Sequence, residues 1–179
     1  MNDLIPNFKP YMGNPNLKRS GVDVNWTPDL VQEWIKCSND VVYFVKNYMK
    51  IVHVDRGLIH FEPYTYQNEM LQAMSQERYC IFATSRQAGK STVTCAFILW
   101  YIIFNESKNV GLLANKGETA REILGKIQLA YQHLPKWMQQ GVLEWNKGSF
   151  VLEKYHCFSM CGLKLANRFR YKCLQQSHR

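Results

Sequence analysis

An α/β domain with a parallel sheet is the fold class this sequence predicts, on three observations. A short apolar run, Tyr79-Cys80-Ile81-Phe82-Ala83, leads into a glycine-containing loop. A long apolar stretch follows from Lys90 to Phe104. A second short run, Val110-Gly111-Leu112-Leu113-Ala114, then precedes an amphipathic stretch over 119–134, with Ile123, Ile127, Ala130 and Leu134 on one face. Brief apolar runs read as buried strands, and strand–helix–strand–helix order implies parallel strands joined by crossover helices.

The remaining elements follow in chain order. Residues 1–25 are rich in Asn, Pro and Gly, lack periodicity, and read as a flexible N-terminal arm. Trp26-Thr27-Pro28-Asp29 reads as a helix start: Thr27 can cap, Pro28 suits the first turn, and Asp29 suits the positive end of the dipole. Leu30, Val31, Trp34 and Ile35 then recur at helical spacing, and a second short helix is expected over 40–48. Residues 51–54 and 58–61 alternate around Asp55-Arg56-Gly57, the pattern of a β-hairpin. Pro63 is expected to open a helix carrying Tyr66, Met70, Leu71 and Met74. Two short strands are expected at 142–145 and 149–152, around Asn146-Lys147-Gly148.

Composition bounds the function. A chain of 179 residues with 46% hydrophobic residues suits one globular domain rather than a disordered chain. The net charge of +8 invites a nucleic-acid reading. However, Lys154, Lys164, Arg168, Arg170, Lys172 and Arg179 carry six of those charges beyond Glu153, with no acid among them. The body is therefore nearly neutral, and the overall charge says little about DNA. Residues 1–10 lack the apolar core of a signal peptide, so reduced thiols are expected. The longest apolar run, Val93 to Phe104, is too short for a membrane span, which needs about 20 residues.

The chemistry is concentrated in Thr84-Ser85-Arg86-Gln87-Ala88-Gly89-Lys90-Ser91-Thr92. Gly89, Lys90 and Ser91 match the end of the phosphate-loop pattern, whose first glycine is replaced by Thr84. A loop that wraps a polyphosphate must turn several backbone N–H groups inward, and Gly89 permits backbone conformations closed to other residues. The following helix presents its positive end to the anion. Lys90 suits β- and γ-phosphate oxygens, and the Ser91 hydroxyl suits Mg²⁺, a hard ion that prefers oxygen. The bland alternative is an ordinary helix start with a solvated lysine.

Ser85-Arg86-Gln87-Ala88-Gly89-Lys90-Ser91-Thr92 resembles the deviant phosphate loop of tailed-phage large terminase subunits, which reads S-R-Q-x-G-K-[ST]-T and lacks the first glycine. Further similarity lies in Tyr11 to Arg19, Trp26-Thr27-Pro28, Asp40 with Tyr43-Phe44, Tyr66-Gln67, Ala114-Asn115-Lys116-Gly117 and Glu144 to Ser149. It covers roughly residues 11–153. The resemblance implies an incomplete P-loop NTPase of RecA/helicase-like type with a helical N-terminal extension. Its partition would be an arm at 1–25, a partial ATPase domain at 26–153 and a basic tail at 154–179. It implies ATP and Mg²⁺ as cofactors, with Ser85, Arg86, Gln87, Ala88, Gly89, Lys90, Ser91 and Thr92 around the phosphates. Tyr66 and Gln67 would read adenine, and Arg86 would act beside Lys90 as an arginine finger in cis. Asn115 and Lys116 would lie near the DNA track. Implied partners are double-stranded phage DNA, the portal protein and the small terminase subunit, in a homo-oligomeric ring in the bacterial host cytoplasm, with no membrane.

The sequence departs from that family in its acidic motifs and in its last residues. Hydrolysis in such motors needs an apolar strand ending in Asp-Glu, and no Asp-Glu pair occurs in this chain. Nor does a nuclease-type cluster of carboxylates. The change of composition after Glu153 reads as a shifted reading frame or a misplaced gene end; an alternative frame of the gene that fails to continue the family pattern would rule this out. The strand at 79–83 is expected to lack neighbours, and the chain to be poorly stable. Two other readings stay open: a fragment of another P-loop helicase or translocase, and a non-enzymatic truncated product. His53, His60 and His133 suit exposed or helix-end positions. His156, Cys157, Cys161, Cys173 and His178 have only a loose zinc-like spacing.

Overall fold

The computed structural model describes residues 4–53, 55–106 and 108–153, and the backbone of 157–161. A two-stranded antiparallel ribbon, β1 (Pro10–Tyr11) and β2 (Asn14–Lys18), opens the chain. Helices α1 (Pro28–Asn39) and α2 (Val41–Tyr48) follow. The Thr27 hydroxyl accepts from the Leu30 N–H at 3.4 Å, and the Asp40 carboxylate accepts from the Val42 and Tyr43 N–H groups at 2.8 and 3.1 Å. Both helices thus start where a side chain can satisfy otherwise unpaired donors.

The hairpin is present as β3 (Lys50–His53) and β4 (Gly57–His60), paired from Lys50↔His60 to His53↔Gly57. Then come α3 (Thr65–Gln76), α4 (Lys90–Phe104), β5 (Val110–Leu113) and α5 (Gly117–Gln132). Strands β6 (Val142–Trp145), β7 (Ser149–Leu152) and β8 (Cys157–Cys161) complete a four-stranded sheet in the order β5-β8-β7-β6.

The class is mixed α/β, but the sheet differs from the expected parallel one. Only β5 and β8 run parallel; β8–β7 and β7–β6 are antiparallel. The run 79–83 is not a strand, because a strand needs a ladder partner and none is provided among the described residues. Tyr79 and Ile81 stand 80% and 98% exposed.

Helix α4 is the centre of the core. Val93, Ala96, Leu99 and Ile103 are buried on it, packed in one cluster with Phe44 and Val45 of α2, Leu71 of α3, and Leu124, Ile127 and Tyr131 of α5. Each fully buried large apolar side chain contributes roughly 1.5–3 kcal/mol. Trp34 packs edge-on against Phe104 at 4.7 Å, and the Trp100 indole N–H donates to the Cys37 carbonyl at 2.8 Å, which fixes α1 against α4. No helix among the described residues is long and apolar enough to cross a membrane.

The N-terminal segment is packed rather than lying off the body as an arm. Leu17 is 1% exposed, and Ile5 and Val22 are buried. Asn, Pro and Gly here serve turns: Met12 and Gly13 take positive φ (46° and 80°) between β1 and β2. The apolar anchors are too sparse to form a period.

Candidate functional site

The loop between residue 84 and α4 is built on two left-handed residues, Gln87 (φ 62°) and Gly89 (φ 70°). Gly89 is the N-cap of α4, and its carbonyl accepts from the Val93 N–H at 3.0 Å. A Cβ at position 89 would lie 2.6 Å from Gln67 Nε2, so glycine is required both by φ and by close approach. Val93 is the first residue of α4 whose N–H finds a carbonyl one turn back, so the N–H groups from Gly89 to Thr92 have no partner within the helix.

Lys90 turns back over this loop. Its Nζ donates to the Thr84 carbonyl at 3.1 Å and the Ser85 carbonyl at 2.7 Å. Thr84, Ser85, Arg86, Gln87 and Ala88, together with Tyr66, line an open depression of about 420 Å³. Arg86 and Ser91 are exposed. Thr92 instead borders a separate hollow of about 130 Å³ with Met49, Ile51 and Lys126.

Helix α3 supplies the other wall. The Tyr66 hydroxyl donates to the Ala88 carbonyl at 3.0 Å, and Gln67 Nε2 donates to the same oxygen at 3.3 Å. Gln67 Oε1 reaches back to accept from the Tyr64 N–H at 3.0 Å, closing the first turn of α3. Gln67 is 4% exposed. Tyr66 stacks on Tyr64 with ring centroids 5.9 Å apart. The fold thus brings Tyr66 and Gln67 to the loop.

The cradle suits a polyphosphate. The N–H groups that open a 15-residue helix, its positive end and the Lys90 ammonium meet at this loop, and Arg86 lines the same depression. For Mg²⁺ the chain offers the Ser91 hydroxyl. No group of three or more His, Cys, Asp or Glu suited to a metal occurs among the described residues, so phosphate and water oxygens would have to complete the shell.

Other candidates stand apart. Lys116 is the N-cap residue of α5, with Asn115 before it. His53 Nδ1 lies 3.9 Å from Asp55 at the hairpin turn, and His133 Nδ1 is 2.9 Å from the Leu129 carbonyl. His156, Cys173 and His178 lie outside the described residues; Cys157 and Cys161 begin and end β8, and their side chains are likewise outside them.

Periodicity could not reveal the buried polar groups. Lys18 is 5% exposed, and its ammonium is held below the usual lysine range by burial, opposed by the Glu153 and Asp23 carboxylates. It borders a larger hollow of about 600 Å³, walled by Trp26, Trp34 and Trp137, distant in sequence from the loop. Size does not make that hollow the anion site, since its walls are chiefly apolar, whereas an anion site needs convergent N–H donors and cations. Comparison with protein families matches residues 81–166 to the family described as terminase large subunit, T4likevirus-type, N-terminal. The match runs past Glu153, where the residue pattern alone suggests an end.

Proposed function

We propose, on the match of residues 81–166 to the terminase large-subunit family, that residues 84–91 bind the triphosphate of ATP. The observation that carries this reading is the position of Lys90, whose ammonium folds back onto the loop that opens α4, 2.7 Å from the Ser85 carbonyl. Lys90 holds β- and γ-phosphate oxygens, Arg86 supplies a second cation at the γ-phosphate from within the same loop, and Ser91 gives an oxygen ligand to Mg²⁺. Mg²⁺ held by Ser91 would neutralise charge on the phosphates. The wider parallel P-loop sheet of the whole protein belongs to this proposal; in this chain the run 79–83 leads into the loop with no strand partner among the described residues.

The proposal extends to the whole protein as a DNA-packaging motor: ATP hydrolysis coupled to translocation of double-stranded phage DNA, with portal and small-subunit partners in a ring. For this chain we propose binding without turnover, because the sequence contains no Asp-Glu pair to hold Mg²⁺ and activate water. The test is a titration of the purified chain with Mg²⁺·ATP, beside a turnover assay with and without double-stranded DNA. Lys90→Ala should weaken binding at least tenfold, and neither protein should turn ATP over. Equal affinity for the two would remove the phosphate site; turnover lost in Lys90→Ala would remove the claim of inactivity.

A further inference from the structure

We propose that Gln67 and the Tyr66 hydroxyl are positioning residues that shape the phosphate loop, rather than readers of the adenine edge. The inference rests on the phosphate-loop reading above. Its starting point is the double acceptance at one oxygen: the Ala88 carbonyl takes the Tyr66 hydroxyl at 3.0 Å and Gln67 Nε2 at 3.3 Å. Two donors from adjacent positions of α3 therefore hold a single peptide group of the loop.

The peptide plane carries the consequence. In a trans peptide the carbonyl and the following N–H point in opposite directions. Drawing the Ala88 oxygen toward α3 aims the Gly89 N–H away from α3, on the side where an anion would sit. The left-handed φ of 70° at Gly89 continues from that orientation into α4. The 2.6 Å approach that a Cβ would make to Gln67 Nε2 means the glycine and the glutamine fit each other. Set by α3, the loop carries its donors in place before the anion arrives, the kind of preorganisation that strengthens electrostatic binding.

The same geometry removes Gln67 from base recognition. A carboxamide reads adenine by offering one donor and one acceptor together on an open edge. Here Oε1 is engaged by the Tyr64 N–H and Nε2 by Ala88, and only 4% of the residue is exposed. Reading a base would require breaking a helix-start contact and a loop contact at once.

Inorganic tripolyphosphate separates the two roles, because it has phosphates and no base. Tyr66→Phe and Gln67→Met should weaken tripolyphosphate and ATP by the same factor, about three- to tenfold for the loss of one such hydrogen bond. The preference for ATP over GTP should not change. Weakened ATP with unchanged tripolyphosphate, or a lost ATP preference, would overturn the proposal and restore the base-reading role. A second arm needs no ligand: tryptic cleavage after the exposed Arg86 under native conditions should quicken in Tyr66→Phe, a variant at an exposed side chain that leaves the core intact. Unchanged cleavage there would overturn the proposal even if the chain binds no nucleotide, whereas absence of tripolyphosphate binding by the unaltered chain would count against the phosphate site alone.

Discussion

The Gln139 side chain donates to the Asn16 carbonyl at 3.1 Å, across 123 positions of sequence. Its Oε1 accepts from the Lys18 N–H at 3.3 Å, and its Nε2 also lies 3.1 Å from the Tyr131 and Leu134 carbonyls. One buried amide thus satisfies the end of α5 and the edge of β2 together. Gln139→Leu keeps the volume and strands several buried backbone groups, each costing about 1–3 kcal/mol when unpaired. We expect a loss of about 2–4 kcal/mol in urea unfolding, and a loss below about 0.5 kcal/mol would show that water replaces the amide.

Two glycines should respond in opposite directions. A Cβ at Gly141 would come within 2.5 Å of Ser20 Cα and 2.9 Å of Ser20 N, both backbone atoms with little room to yield. Gly141→Ala should therefore loosen the N-terminal segment and destabilise the chain by more than about 1 kcal/mol. Gly125 lies inside α5 with open space around it. Gly125→Ala should stabilise by about 0.5–1 kcal/mol through helix propensity. Thermal melts of both variants decide the matter, and equal signs would contradict the packing described.

Acid should erase one specific contribution. The Glu33 carboxylate accepts from the Tyr48 hydroxyl at 2.7 Å and the Tyr43 hydroxyl at 2.9 Å. The Tyr48 hydrogen bond is the main cause that holds its carboxyl below the usual range, with burial acting in the opposite direction. A carboxyl lowered in the folded state adds stability that is complete above its unfolded value. That stability is lost as pH falls through the folded value. Tyr48→Phe should thus be less stable than the parent at pH 7, and the gap should narrow as pH drops below about 4.5. A gap independent of pH would assign the loss to packing.

Thiol labelling should follow burial. Burial pushes the Cys37 and Cys95 thiols up to about 12, Cys37 aided by the adjacent Glu33 carboxylate. Cys80 is half-buried. A maleimide at pH 7.5 should modify Cys80 well before Cys37 or Cys95, as read by peptide mass, because the thiolate is the reacting form. Early labelling of Cys95 would mean that the α4–α5 contact opens readily.

Much of the local structure was legible from residue order. Lys90 to Phe104 forms one helix because its apolar run begins after a glycine that can cap it and closes at Asn105. Thr27-Pro28 and Asp40 start helices for capping reasons confined to a few residues, and Asp55-Arg56-Gly57 turns the hairpin likewise. The phosphate-loop residues were legible as a motif for the same reason, since spacing and residue type are local properties.

Contacts between distant segments were not. Tyr79 to Ala83 has the composition of a buried strand, yet pairing depends on a neighbour that no local pattern can provide, and the run lies outside every described sheet. Leu17 joins the main core cluster, and Lys18 is buried with its N–H on Gln139, 121 positions along the chain. Residue order by itself determined the helix boundaries, the turns and the phosphate-loop motif, because propensity, capping and spacing act within a few positions. Tertiary structure alone decided which strands pair, that the N-terminal segment is packed, and that Gln67 meets Ala88. Those outcomes depend on burying polar and apolar groups from opposite ends of the chain against one another.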